Sequence, residues 1–257
     1  MGKIWRQRPL SSSQVDTILD MSMGKSLNNV KEFNSWDKLD YWNSGEWQVV
    51  QERLDDIDKS HDLYNPRREL MFAALDATPF SKVKVAIYGQ DPYPDRSCAC
   101  GLAFSIPTGT IAAGLQPPPT FNTLVAEYVD DLHYPSPSST SLMLWAERGV
   151  LLWNAIPSCD KGKSLSHDWP EWALLTKEIT TRLSDKGDVV FVFCGGVARR
   201  SVKDVNLEHN SVLEVSHPSP RASRNSIYPF RGSRIFSTVN DRLTQKHRLN
   251  PINWKLP

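Results

Sequence analysis

Val83-Lys84-Val85-Ala86-Ile87-Tyr88, halted by Gly89, is the stretch from which the fold is read. It is short, β-branched and almost wholly apolar, as expected for a buried strand that feeds a loop. Outward from it the same unit recurs. A helical run through Leu142-Met143-Leu144-Trp145-Ala146-Glu147-Arg148 ends at Gly149, and Val150-Leu151-Leu152-Trp153 follows at once, with Asn154 at its carboxyl end. A helix from about Trp169 to Leu183 precedes a strand from Val189 to Phe193. A Gly195-Gly196 turn, a short helix and a strand from Val212 to Val215 come next. Helices alternating with buried strands imply an α/β fold with a parallel sheet covered by helices. Upstream, residues 46–59 and 66–77 carry apolar positions at helical spacing and predict two helices. Pro117-Pro118-Pro119 cannot continue helix or sheet, so Thr120 reads as the N-cap of a helix reaching about Leu132.

At 257 residues and 40% hydrophobic composition the chain suffices for one large domain, with residues 1–35 read as a polar extension and 36–257 as the domain. The formal net charge of +1 singles out no nucleic-acid partner. Its distribution is uneven: Gly195 to Arg248 holds ten Lys or Arg against four Asp or Glu, which leaves the rest of the chain acidic. Such an asymmetry serves a solvated face as well as a DNA footprint. Cys98, Cys100, Cys159 and Cys194 form no paired C-x-x-C arrangement, and read as reduced structural thiols. The first residues lack an apolar signal core and no run approaches membrane-spanning length, so a soluble intracellular protein, cytoplasmic or nuclear, is expected. Tyr134 to Ser139 reads as a surface loop, and nothing in the sequence signals an oligomer, so a monomer is expected.

In open parallel sheets ligands bind beyond the carboxyl ends of the strands. Four such ends carry Gly89-Gln90-Asp91-Pro92-Tyr93-Pro94, Asn154, Gly195-Gly196 and His217-Pro218-Ser219-Pro220. Prolines on either side of Tyr93 restrict how far Asp91 can wander. A histidine held rigidly at a strand end can donate a hydrogen bond to an oxygen where negative charge develops. Phe104, within Gly101-Leu102-Ala103-Phe104-Ser105, can stack on a base. Taken singly each has a plainer reading: Asp91 a turn, Phe104 a core residue, Asn154 a strand cap and His217 a loop histidine.

Taken together, Gly89-Gln90-Asp91-Pro92-Tyr93, Gly101 to Ser105, Gly149 to Ala155 and His217-Pro218-Ser219-Pro220, in this order and spacing, resemble the family 1 uracil-DNA glycosylases. The resemblance runs from roughly Trp36 to Trp254 and takes in the proline loop, Ser166-His167 and the closing Asn250-Pro251-Ile252-Asn253-Trp254-Lys255. It implies a three-layer α/β/α sandwich around a four-stranded, mainly parallel sheet, with no metal and no organic cofactor. The implied reaction is hydrolysis of the bond between uracil and deoxyribose in flipped-out DNA, leaving an abasic site. By the same resemblance Asp91 orients the attacking water, and neutral His217 donates to uracil O2. Tyr93 excludes a C5 methyl, Asn154 reads the O4 and N3-H edge, Phe104 stacks on the ring, and backbone near Gln90 and Asp91 holds O2. Pro118, Pro119, Thr120, Gly195, Gly196 and Ser219 match loops that pinch the DNA backbone.

Departures from the family pattern fall at the DNA side. Pro94 replaces a histidine, Asp95-Arg96 replaces Gly-Pro, and Gly196 replaces a serine. Arg221 stands where a leucine wedges into the gap left by the flipped base, in a segment about three residues longer that adds Arg224 and Arg231. The expectation is that apolar wedging gives way to electrostatic grip, and that a proteinaceous DNA-mimic inhibitor which captures that leucine binds less well. The competing reading is a catalytically weak DNA-binding or polymerase accessory protein on the same fold. Asp91, Tyr93, Asn154 and His217, all intact, weigh against it.

Overall fold

In the computed structural model, which describes residues 35–60, 63–111, 113–223 and 226–257, Val85–Gly89 is a central strand. The strands are β1 (Tyr64–Asn65), β2 (Val85–Gly89), β3 (Val150–Asn154), β4 (Cys159–Asp160), β5 (Val190–Cys194) and β6 (Ser211–Val215). Four of them form one sheet in the order β3-β2-β5-β6, every pairing parallel. Register sets Ile87 beside Leu152 and Val192, Gly89 beside Asn154, and Cys194 beside Val215. β2, β3 and β5 are buried at every position, which is why they read as continuous apolar runs rather than as alternating ones.

Helices α1 (Gly45–Lys59), α2 (Ala73–Ala77), α3 (Pro119–Leu132), α4 (Met143–Glu147), α5 (Pro170–Lys186), α6 (Gly196–Arg200), α7 (Pro220–Ser223) and α8 (Ile235–Asp241) surround the sheet. Side chains alternate across a strand, so the two faces have different neighbours. On one face Tyr88 Oη lies 2.8 Å from Thr180 Oγ1, and Trp153 Nε1 donates to Thr176 Oγ1 at 2.9 Å, which seats α5. On the other, Ile87, Leu152 and Val192 meet Leu124 of α3, Trp145 of α4, and Phe236 and Val239 of α8. The result is the expected α/β/α sandwich in a single domain. Trp36, Trp145, Trp153, Trp172 and Trp254 are fully buried, and each indole N–H finds an acceptor, such as the Trp254 carbonyl for Trp145 at 2.8 Å. Large apolar area is thereby buried without an orphaned donor.

Two expectations need correction, and one element had no sequence signal. Thr120 is not the cap: the helix begins at Pro119 with Pro118 in the cap position, because a proline's fixed φ suits the first helical turn, where its missing N–H costs nothing. The run 66–77 is not one helix. It makes a single 3-10 turn at Arg68–Leu70 and becomes α-helical only at Ala73–Ala77. The Leu70 carbonyl is pressed so closely against Gly101 that a Cβ there would come within 1.9 Å, and this packing overrides the local periodicity. Finally, β1 and β4 pair antiparallel in a separate two-stranded ribbon that no sequence signal marked. The polar extension lies outside the described residues apart from Ser35, as does Arg224. Among the described residues no helix is long and apolar enough to cross a membrane.

Candidate active site at the carboxyl edge of the sheet

From β2 the chain passes to β3 on one side, and from β5 to β6 on the other, so a crevice opens where the strand order reverses. A cavity of about 870 Å³ fills that place. Its lining unites Gln90, Asp91, Tyr93, Phe104, Thr120, Asn154, Gly195, Gly196, Ser219, His217 and Arg221, residues drawn from every strand end singled out in the sequence. Pro118 and Pro119 do not line it; they stand behind Thr120 at the start of α3.

The floor is formed by close approach of backbone to side chain. A Cβ on Gly89 would lie 2.7 Å from Asn154 Oδ1 and 3.3 Å from Phe104 Cζ, so only glycine lets these two residues meet at the end of β2. Asn154 is 8% exposed, yet among the described residues its carboxamide makes no hydrogen bond with the protein. Buried amides are normally satisfied. One that opens into a cavity is set to receive a ligand's donor and acceptor. Phe104 is held at φ 63, a left-handed conformation that bulky residues rarely adopt and that costs on the order of 1–3 kcal/mol. Tyr93 Oη donates to the Phe104 carbonyl at 3.2 Å, which pins the strained residue and fixes the phenol against the floor. Burial, with Cys98 and Cys100 nearby, holds that phenol well above the ordinary tyrosine range, so it stays a neutral donor.

Asp91 is anchored from a loop that the sequence reading had not connected to it. Ser164 Oγ lies 2.7 and 2.9 Å from its two oxygens, Leu165 N–H donates at 2.6 Å and Gln90 Nε2 at 2.9 Å. The loop is itself braced. His167 bonds Ser158 and Asp160, each at 2.8 Å, and stacks on Trp169 with ring centroids 4.2 Å apart. Ser166-His167 was legible as a motif, but its partners were not. The Pro94 carbonyl accepts from Asn65 Nδ2 and from Gly162 N, each at 2.8 Å, so the loop with the unusual proline is tied to β1 and to the Ser164 loop.

His217 follows β6. Ser219 N–H donates to its Nδ1 at 3.2 Å, which makes Nδ1 the acceptor and leaves the imidazole proton on Nε2. Burial pushes its pKa below the ordinary histidine value, and the Asp91 charge offsets part of that shift. Near neutral pH the ring is therefore an uncharged donor. Its ring centroid lies 5.7 Å from that of Phe104. Gly195 stands at φ 94, and a Cβ there would lie 3.1 Å from His217 Cβ, so any side chain at this turn after β5 would be strained.

Three cations of the basic stretch are paired with carboxylates. Arg199 pairs with Glu214 at 2.6 Å and lies over the Phe193 ring, Arg231 pairs with Asp130, and Arg234 lies 3.8 Å from Asp131. Arg231 therefore adds no free charge, contrary to expectation. Arg200 and Arg221 line the cavity with no carboxylate partner among the described residues. Arg200 was missed: its Nη1 lies 2.9 Å from where a Cβ on Gly196 would stand, so its guanidinium covers the position left vacant by the absent side chain. The four cysteines are buried and unpaired, with thiols pushed up by burial, to about 12 for Cys159 and Cys194.

Residues 75–244 match the model of the uracil DNA glycosylase superfamily. A curated uracil-DNA glycosylase of Acinetobacter baylyi is 35% identical over 217 residues, covering 81% of this chain and 88% of that protein. Uracil-DNA glycosylase 2 of Streptomyces avermitilis is 35% identical over 193 residues, covering 75% and 81%. Among solved structures, that of mimivirus uracil-DNA glycosylase superposes with a TM-score of 0.71 at 22% identity, over 93% of this chain and 99% of the other. A variant of the mimivirus protein in complex with UGI superposes at 0.77 and 24% identity, over 89% and 91%.

Proposed function

The chain belongs to the uracil DNA glycosylase superfamily and excises uracil from DNA, and we propose that it does so in the family 1 manner, with Asp91 and His217 as its catalytic pair. The observation that carries this assignment of roles is that buried His217, its Nδ1 taken by the Ser219 N–H, shares one cavity with the anchored Asp91 carboxylate.

Breaking the N-glycosidic bond leaves positive charge on the sugar and negative charge on the departing uracil. Catalysis therefore needs a group for each. Asp91 serves the sugar: its carboxylate favours the cation and orients a water for attack. His217 serves the base, its Nε2–H donating to O2 as that oxygen gains charge. Asn154 receives the O4 and N3-H edge on its unsatisfied carboxamide, and cytosine would leave those groups mismatched. Phe104 stacks on the ring, Tyr93 closes the space beside C5, and backbone near Gln90 and Asp91 holds O2. No step calls on a metal or an organic cofactor. The assay is incubation with oligonucleotides bearing a single uracil, thymine or cytosine, followed by alkaline cleavage at abasic sites. Cleavage at uracil alone is expected, and no cleavage at uracil would sink the enzyme reading. In the same assay Tyr93→Ala should raise thymine excision about tenfold or more over the unmodified chain, the value of roughly one methyl group's exclusion.

Toward the DNA backbone, Thr120, Gly195, Gly196 and Ser219, with Pro118 and Pro119 stiffening the approach to Thr120, are assigned to phosphate contacts that carry no sequence information. Arg200 and Arg221 join them as cations. Each phosphate contact releases counterions, so Arg200→Ala and Arg221→Ala should each reduce the slope of log affinity against log salt by about 1. An unchanged slope in a binding titration would remove that residue from the interface. With a charge in place of an apolar side chain at 221, weak capture by a DNA-mimicking inhibitor protein is also expected, and stoichiometric inhibition would contradict it. The protein acts as a monomer, in the cytoplasm or nucleus, wherever its DNA lies.

A further inference from the structure

Ile227 is 85% exposed and Tyr228 64% exposed, the two most exposed large apolar side chains among the described residues, and they are adjacent. Single exposed apolar residues are ordinary. Adjacent ones at the mouth of a ligand cavity are not: Tyr228 is part of the cavity wall, and Ile227 projects beside it into solvent.

Their backbone is anchored. Ser216 N–H donates to the Tyr228 carbonyl at 2.7 Å, and Phe230 N–H donates to Ser216 Oγ at 3.0 Å, with the Phe230 side chain buried. Ser216 is the neighbour of His217, so the apolar pair and the histidine hang from one strand end. Further on, buried Glu127 of α3 accepts from Gly232 N and Arg234 N, and Asp131 accepts from Ser237 N at 2.9 Å. The segment after the pair is thus fastened to both the sheet and α3.

A duplex that surrenders a base into this cavity is left with a slot between stacked pairs, lined by apolar ring faces. An aromatic ring or a branched aliphatic chain fills such a slot without desolvating a charge, whereas a guanidinium gains more from phosphates. Building on the uracil-flipping reading above, we propose that Ile227 and Tyr228 are the wedge that occupies this slot, leaving Arg221 to grip the backbone. On this reading the apolar plug stands at positions 227 and 228 rather than at position 221.

The test compares the Ile227→Ala, Tyr228→Ala double variant with the unmodified chain on one uracil-bearing strand, alone and in a paired duplex. Both side chains face solvent, so folding is not at stake, and Tyr228→Phe alone keeps the ring. The double variant should lose about tenfold more in kcat/KM on duplex than on single strand, since only the duplex must be unstacked. A 2-aminopurine next to the uracil should brighten with the unmodified chain and with Tyr228→Phe, and much less with the double variant. Equal loss on both substrates, or undiminished brightening, would overturn the wedge while leaving the glycosylase intact. No excision of uracil from either substrate by the unmodified chain would overturn both.

Discussion

Asp91→Asn is expected to lower uracil excision by about a thousandfold, within the range for loss of a positioned base, while DNA binding survives. The fold should tolerate the change. Asp91 accepts from Ser164 Oγ, Leu165 N–H and Gln90 Nε2. An asparagine can keep its oxygen toward Leu165 and turn its amide toward Ser164 and Gln90, whose hydroxyl and carboxamide can both reverse roles. A stability cost of about 1 kcal/mol is therefore expected, small beside the loss of rate. Single-turnover excision, thermal unfolding and a binding titration separate the three quantities. Because the Asp91 charge raises the pKa of His217 against the effect of burial, its removal should also lower that pKa further, which an NMR titration of the His217 ring would read. Excision within a few-fold of the unmodified rate would deny Asp91 its role.

Replacement of His217 by Ala should cost about a hundredfold to a thousandfold, the usual loss when one donor to a developing oxyanion is removed. The pH profile distinguishes this role from mere packing. Burial lowers the pKa of His217, so the neutral ring persists to a pH below the ordinary histidine range. Protonation puts a hydrogen on Nδ1, where it meets the Ser219 N–H that now donates there, and the orienting bond is lost. Activity should accordingly stay level as pH falls through the usual histidine value and decline only below it. In His217→Ala that acid decline should disappear from the residual activity. An unmodified enzyme that declines at or above the ordinary histidine value would contradict the neutral, desolvated ring.

Most of the sheet was written in the chain, because strands buried on both faces must be apolar throughout, and the runs around Val85, Val150 and Val190 can be nothing else in an alternating α/β sequence. The strand-end rule pointed to the candidate site, where one cavity draws together Asp91, Tyr93, Phe104, Asn154 and His217. What local sequence misjudged was where long-range packing overrides periodicity: the 3-10 turn at Arg68–Leu70 against Gly101, and the ribbon of β1 and β4.

The same division holds within the site. The order and spacing of short motifs carried the resemblance from which the reaction was expected, since an Asp between a strand and prolines, an Asn at a strand end and a His before Pro-Ser-Pro are properties of short segments. Charge could not be judged that way. Ten cations between Gly195 and Arg248 left a solvated face and a DNA footprint both open, and in the fold Glu214, Asp130 and Asp131 neutralise three of them, two of these carboxylates lying on a helix about a hundred residues earlier. Only the folded chain shows which cations line the cavity with no carboxylate partner among the described residues, Arg200 and Arg221, and that the segment beyond Arg221 carries Tyr228 to the mouth of the cavity, with the exposed Ile227 beside it. Backbone chemistry is local and can be read in order. Pairing, burial and exposure depend on which distant segment arrives alongside, and that is decided by tertiary structure alone.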